Sequence, residues 1–215
     1  MSGPDVETAR RPRQRRVQSQ AMGSTPTKIG ATEADWDALP EGTTAELIDG
    51  DLYVHATPRP RHQIVITRFV VELAPSMRDK SPKGWHIMFE IGIRFGKNRI
   101  LVPDLAGWRR ERMPKIPDDD WKIALIPDWV CEGISPSTAR LDRGRKREIY
   151  AAMKVGHIWY ADSATRTVEI LQLDGKSYRV VATAGGDERG RFPPFDHEID
   201  LGVLWADIDY KDEDR

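Results

Sequence analysis

The apolar positions of this chain change period several times, and each change marks an element. Thr32-Glu33-Ala34-Asp35 ahead of Trp36 and Leu39 is a capping-type pattern that predicts a short helix. Glu46-Leu47-Ile48 and Leu52-Tyr53-Val54, joined by Asp49-Gly50, predict a hairpin, because Asp-Gly suits the left-handed angles of a tight turn. From His62 to Met77, Ile66, Phe69, Val70 and Leu73 recur at three and four, the spacing of an amphipathic helix that Pro75 ends or bends. Ile87 to Phe95 then alternates strictly, with Ile and Phe on one face, and predicts one half-buried strand. Gly96-Lys97-Asn98 turns the chain and Ile100 to Trp108 returns antiparallel, which brings Glu90 beside Asp104; Pro103 marks a bulge or an exposed edge there.

After a polar excursion from Arg109 to Asp120, Trp129 to Ile134 reads as a buried strand in which Glu132 is out of place. Ser135-Pro136-Ser137-Thr138 breaks it, and Leu141 to Met153 predicts a basic helix anchored by Ile149 and Met153. Strands follow at His157 to Tyr160, Thr167 to Leu173 and Ser177 to Val181, the last two joined by Asp174-Gly175. Leu201, Leu204 and Trp205 are placed to close the core. Residues 24–207 read as one domain, in keeping with a chain of 215 residues.

Composition narrows the class. The fractions of 39% hydrophobic and 31% charged residues are those of a globular protein, and no apolar run approaches the length of about 18 residues that suggests a membrane span. A single cysteine, Cys131, excludes an internal disulfide, and the start lacks the apolar segment of a secretory signal, so a cytoplasmic location is expected. The formal net charge of -1 conceals Arg10, Arg11, Arg13, Arg15 and Arg16 within residues 1–23, an arm read as disordered, with Met22 as an alternative start. Residues 208–215 form an acidic tail. Nucleic-acid binding therefore has to come from local basic patches.

The candidate chemistry lies in Glu46, Asp104, Glu132 and Lys146. Phosphodiester cleavage needs an activated water, neutralisation of charge on the phosphate and help for the leaving oxygen, all of which a divalent ion assists. Mg²⁺ takes hard oxygen ligands and usually only one or two carboxylates from protein. Strands lie about 4.7 to 4.9 Å apart, so Asp104 and Glu132 on neighbouring strands suit one Mg²⁺ or Mn²⁺, with Glu90 in reserve. Blander readings stand beside these: a turn acid for Asp104, a structural ion pair for Glu132, a solvated strand face for Glu46, and an exposed helical salt bridge between Asp142 and Lys146. His62 is a candidate for phosphate contact or proton shuttling, against helix capping or packing. Arg59, Arg61, Arg140, Arg143, Arg145 and Arg147 are candidates for phosphate contacts, against a solvated basic surface. The five histidines lack zinc-like spacing, no Gly-rich phosphate loop is present, and Asp118-Asp119-Asp120 reads as a solvated loop.

These residues carry a resemblance. Glu46 to Leu52, Pro58 to Gln63, Leu101 to Ala106, Pro127 to Thr138, and Asp142 to Tyr150 with Gly156 and Trp159 resemble the PD-(D/E)XK nuclease superfamily and, within it, the Uma-type restriction-endonuclease family, over about residues 28 to 207. The resemblance implies an α/β (α+β) restriction-endonuclease-like core, a central mixed β-sheet flanked by helices, preceded by the N-terminal helix and hairpin. It implies Asp104 and Glu132 as metal ligands and Glu46 as the upstream acid. Where the superfamily pattern has Lys two positions after the acid of its third motif, this chain has Ile134, and the resemblance to Uma-type sequences implies that the ammonium comes from Lys146 on the next helix. The function so implied is a divalent-metal-dependent endonuclease acting on DNA, expected as a homodimer because duplex cleavage needs two sites. The rival is a non-catalytic nucleic-acid-binding or regulatory protein of the same fold.

Overall fold

Pro60 opens the first long helix, at a position where its missing N–H costs nothing. In the computed structural model, which describes residues 25–118 and 122–210, the chain runs β1 (Lys28–Ile29), α1 (Glu33–Asp37), β2 (Ala45–Ile48), β3 (Asp51–Val54), α2 (Pro60–Glu72), α3 (Ala74–Arg78), β4 (Trp85–Phe89), β5 (Gly92–Arg94), β6 (Arg99–Leu101), β7 (Leu105–Arg109), β8 (Lys122–Ile123) and β9 (Trp129–Ile134). It continues through α4 (Ala139–Leu141), a π-helical turn (Asp142–Lys146), α5 (Arg147–Ala152), β10 (His157–Asp162), β11 (Thr167–Asp174), β12 (Ser177–Gly185), β13 (Arg189–Gly190), β14 (Ile199–Asp200) and α6 (Leu201–Trp205). The Arg-rich arm, Asp119, Asp120 and the last five residues of the acidic tail lie outside the described residues.

Two six-stranded sheets organise the described residues, in the orders β1-β3-β2-β6-β5-β8 and β12-β11-β10-β9-β7-β4, with β13-β14 as a separate ladder. Both large sheets are mixed: β9 pairs β10 parallel and β5 pairs β8 parallel, among antiparallel neighbours. One face of the second sheet packs against α2 and α6 through Val65, Phe69, Trp129, Trp159 and Leu204. Trp159 stacks edge-on against Trp129 at 5.4 Å and Phe195 at 5.4 Å. Such ring pairs each contribute about 0.5–1.5 kcal/mol beyond area burial. The opposite face packs under the interrupted helix of residues 139–152 and against the first sheet through Val130, Ile149, Tyr150, Ile93 and Phe95. No helix is long and apolar enough to cross a membrane among the described residues.

The long alternating hairpin expected at residues 87–108 is corrected. Its outgoing arm breaks at Glu90, whose φ is 48°, so that β4 belongs to one sheet and β5 to the other. Its returning arm breaks at Val102-Pro103-Asp104, leaving β6 and β7 in different sheets as well. Pro103 has no N–H for a ladder, which is why the break falls there. It sits at no edge, however, because it is buried and both β6 and β7 have partners on each side. The alternation reverses its meaning across the break: Ile87 packs towards the α2 core, whereas Ile93 and Phe95 enter the other core. A left-handed residue can swap the faces without disturbing the hydrophobic pattern, so the sequence reads as one continuous strand.

The other boundaries shift less. The first long helix ends at Glu72, three residues before Pro75, and a short helix follows in place of a single bent one. The last strand extends beyond Val181 to Gly185. Asp49 and Gly50 form the expected turn with φ of 54° and 89°. Asp49 also accepts bonds from Arg99 and Arg145, tying the hairpin to the helix that carries Lys146.

Candidate active site

The two breaks in the long hairpin leave Asp104 at the start of β7, beside β9. Along β9, Trp129 and Cys131 face the α2 core while Val130 faces the other, so alternation turns Glu132 under the helix of residues 139–152. The β7–β9 ladder ends at Leu105 against Cys131, one position before Asp104 and Glu132. Glu46 reaches the same interior from β2, a strand buried at all four positions.

Lys146 is the hub. Its Nζ lies 2.8 Å from Glu132 Oε1, 3.0 Å from Glu46 Oε1 and 3.1 Å from Asp142 Oδ1. The relative exposures are 1% for Glu46, 3% for Glu132, 4% for Asp142 and 3% for Lys146, so the exposed-salt-bridge reading of the Asp142–Lys146 pair gives way to a buried charge cluster. The π turn presents both residues inward from a helix whose flanking residues are basic and solvated. Such turns cost regular hydrogen bonding and recur where a side chain must be re-aimed.

The cluster's electrostatics are uneven. Burial raises the Glu132 carboxyl well above the ordinary range, and Asp142, Glu46 and Asp104 push the same way against Lys146. Burial also dominates at Glu46, but Lys146, His55 and the Val102 N–H together outweigh it and hold the carboxyl at about 2. Glu46 accepts from Val102 N at 2.9 Å and pairs with His55 Nε2 at 3.1 Å. Glu132 accepts from the Tyr150 hydroxyl at 2.5 Å. Burial raises Asp142 too. Burial opposes the charge of Lys146, but Glu132 and Glu46 carry it well above the ordinary lysine value. With three acids around one ammonium, a proton resides more readily on Glu132, which has fewer donors than Glu46.

Asp104 lies within electrostatic reach of Glu132, its side chain 19% exposed. Oδ1 lies 2.9 Å from His62 Nε2, and Oδ2 accepts from the Gly133 N–H at 2.6 Å. Burial lowers the His62 pKa, but the hydrogen bond and charge of Asp104, with Glu90 and Asp142 behind it, raise it overall. Gly133 makes the approach possible, since a Cβ there would lie 2.5 Å from His62 Cε1. Gly133→Ala is expected to swing His62 off Asp104 at a cost of about 1–2 kcal/mol. An NMR titration should then show the His62 pKa falling towards its ordinary value; an unchanged titration would mean the ring had stayed in place.

The structure thus brings Glu46, Glu132 and Lys146 into contact and holds Asp104 within electrostatic reach of Glu132. Glu90 is exposed; its N–H donates to the Asp104 carbonyl at 3.2 Å, and its carboxylate joins no ion pair among the described residues. Arg59 is the exposed N-cap residue of α2, and Arg61 lies over the Tyr210 ring at 5.7 Å. Arg143 pairs with Glu169, and Arg147 donates to the Tyr178 carbonyl at 3.0 Å. His55, Tyr150 and Gly133 are not among the residues that the sequence singles out. Tyr150 had a signal, because Asp142, Lys146 and Tyr150 recur at every fourth position along one helical stripe. No group of three or more His, Cys, Asp or Glu side chains is arranged to hold a metal ion among the described residues.

Comparison with known proteins agrees with this architecture. A crystal structure described as a "putative nuclease belonging to DUF820" from Anabaena variabilis ATCC 29413 superposes with a TM-score of 0.66 at 18% identity, over 81% of this chain and 97% of that one, which shows a shared fold. No curated protein matches. The model of the Uma2 family, described as "Putative restriction endonuclease", matches residues 34–203, most of the chain, and the chain therefore belongs to the Uma2 family.

Proposed function

We propose that this protein is a divalent-metal-dependent endonuclease that hydrolyses DNA phosphodiester bonds. The observation that carries the reading is the buried cluster of Lys146 with Glu46, Glu132 and Asp142, which has the partly exposed carboxylate of Asp104 within electrostatic reach of Glu132. Three acids against one ammonium leave an excess of two negative charges when all are ionised. A buried excess of this kind is costly unless protons or a cation compensate it. The donors suit Mg²⁺ or Mn²⁺ in kind, being hard oxygens, and in number, since Mg²⁺ needs only one or two carboxylates and completes its shell with water. Asp104 and Glu132 are the residues that would hold it. Such an ion, when bound, supplies Lewis acidity and a water of lowered pKa.

The chain's own groups have separable tasks. Lys146 places a desolvated ammonium where charge grows on the attacked phosphate, and losing a preorganised stabiliser of this kind typically costs about 10² to 10³ in rate. Glu46, fixed by three donors, keeps that ammonium in position. Tyr150 fixes Glu132, and His62 fixes Asp104. Paired sites in a homodimer would cut both strands of a duplex; sedimentation of the protein with and without DNA tests that arrangement.

Incubating supercoiled plasmid with Mg²⁺ or Mn²⁺ should give nicked and linear products that disappear in EDTA. Metal uptake should also release protons, because burial raises the Glu132 carboxyl well above the ordinary range while binding requires its ionised form. Calorimetric titration in buffers of different ionisation enthalpy measures the release. The rival reading, a non-catalytic nucleic-acid-binding protein, draws on Asp104 having both oxygens engaged by His62 and Gly133. DNA binding without either metal uptake or cleavage would favour that rival.

A further inference from the structure

A cavity of about 450 Å³ opens between β3 and the helix of residues 139–152, lined by Tyr53, Arg140, Leu141, Gly144 and Arg145. Its size falls within the range of about 300–1,000 Å³ typical of small-ligand sites. Tyr53 pairs across the β2–β3 ladder with Glu46, so both side chains leave the same face, and Glu46 binds Lys146. Leu141 and Gly144 bracket Asp142 on the helix. The cavity therefore adjoins the buried cluster.

The arginines of this helix are not equivalent. Arg143 is held by Glu169, Arg145 by Asp49 and Glu148, and Arg147 by the Tyr178 carbonyl. Arg140 is exposed and makes no ion pair or hydrogen bond among the described residues. Gly144 is a poor helix former in mid-helix, and a Cβ there would meet nothing within 4 Å. Neither close packing nor a left-handed backbone accounts for it; its effect is to leave the cavity open. Tyr53, half-buried against the core, and the unpaired guanidinium of Arg140 line one open pocket, a combination that suits a nucleobase and its phosphate, by stacking and by bidentate pairing respectively.

Resting on the nuclease reading above, we propose that this cavity is a nucleotide subsite: one base of the DNA strand stacks on Tyr53 while its phosphate pairs with Arg140, which sets the strand beside Lys146. The probe is a fluorescent single-stranded oligonucleotide, followed by anisotropy in EDTA and again with Ca²⁺. Tyr53→Ala should weaken binding about tenfold while Tyr53→Phe retains it. Arg140→Ala should lower the salt slope of binding by about 0.7, the value for one phosphate contact on a single strand. Gly144→Leu should fill the pocket and weaken binding without lowering the thermal midpoint. A free nucleoside monophosphate should compete only weakly; competition matching the oligonucleotide would overturn the strand assignment. Equal affinities and salt slopes for the wild type, Arg140→Ala and Gly144→Leu would remove the subsite alone. Failure of the wild type to bind any strand under either condition would bring down the nuclease reading together with it.

Discussion

Lys146→Met should destabilise the fold by about 3–5 kcal/mol at pH 7.5, because it strands three carboxylates that share one ammonium and are each at most 4% exposed. The deficit has a signed dependence on pH. An acid whose pKa is higher in the folded than in the unfolded state penalises the fold above its unfolded value, and Glu132 and Asp142 are already raised by burial with Lys146 present. Removing Lys146 raises them further, so the penalty grows with pH and falls as the carboxyls take up protons. Urea unfolding at pH 7.5 and pH 5.5 should show the gap to the wild type narrowing in acid. Nuclease activity should fall by about 10² to 10³ under conditions where the variant remains folded. A variant that matches the wild type in stability at both pH values would mean that Lys146 does not balance the cluster.

Asp104→Asn should separate chemistry from stability. The side chain is 19% exposed and its two bonds are to His62 and the Gly133 N–H, so the amide should cost only about 1–2 kcal/mol. Activity should nevertheless drop by at least about 10²-fold, since even the outer partners of metal-binding groups typically cost about 10- to 100-fold when lost. The pH dependence runs opposite to that of Lys146→Met. His62 has a raised pKa in the fold, so its pairing with Asp104 contributes fully below the unfolded value and is lost as pH rises through the folded one. The stability deficit of Asp104→Asn should therefore be greatest in acid and shrink above neutrality. Retention of both activity and Mn²⁺ binding would exclude Asp104 as the accessible metal carboxylate.

The groups of the cluster differ in how far the sequence marks them. Glu132 announced itself as an acid in an apolar strand, a placement that burial makes expensive without a cation. Lys146 could not be separated by spacing from an exposed salt bridge, because an i,i+4 pair looks the same on either face of a helix. Only the π turn at Asp142–Lys146, which no pattern of residues revealed, shows which face turns inward. His55 escaped because its partner Glu46 lies across the hairpin and nothing local marks the pair.

Local chemistry was enough for the Asp49-Gly50 turn, for the amphipathic period of α2 and for the apolar run of β9, each of which depends on neighbours a few residues away. The split of one alternating hairpin between two sheets and the convergence of β2, β9 and the interrupted helix on Lys146 were decided by the tertiary structure. The reason is physical. Alternation specifies that one face is buried but not against which core, and a carboxylate's cost of burial is set by a partner that arrives from anywhere in the chain.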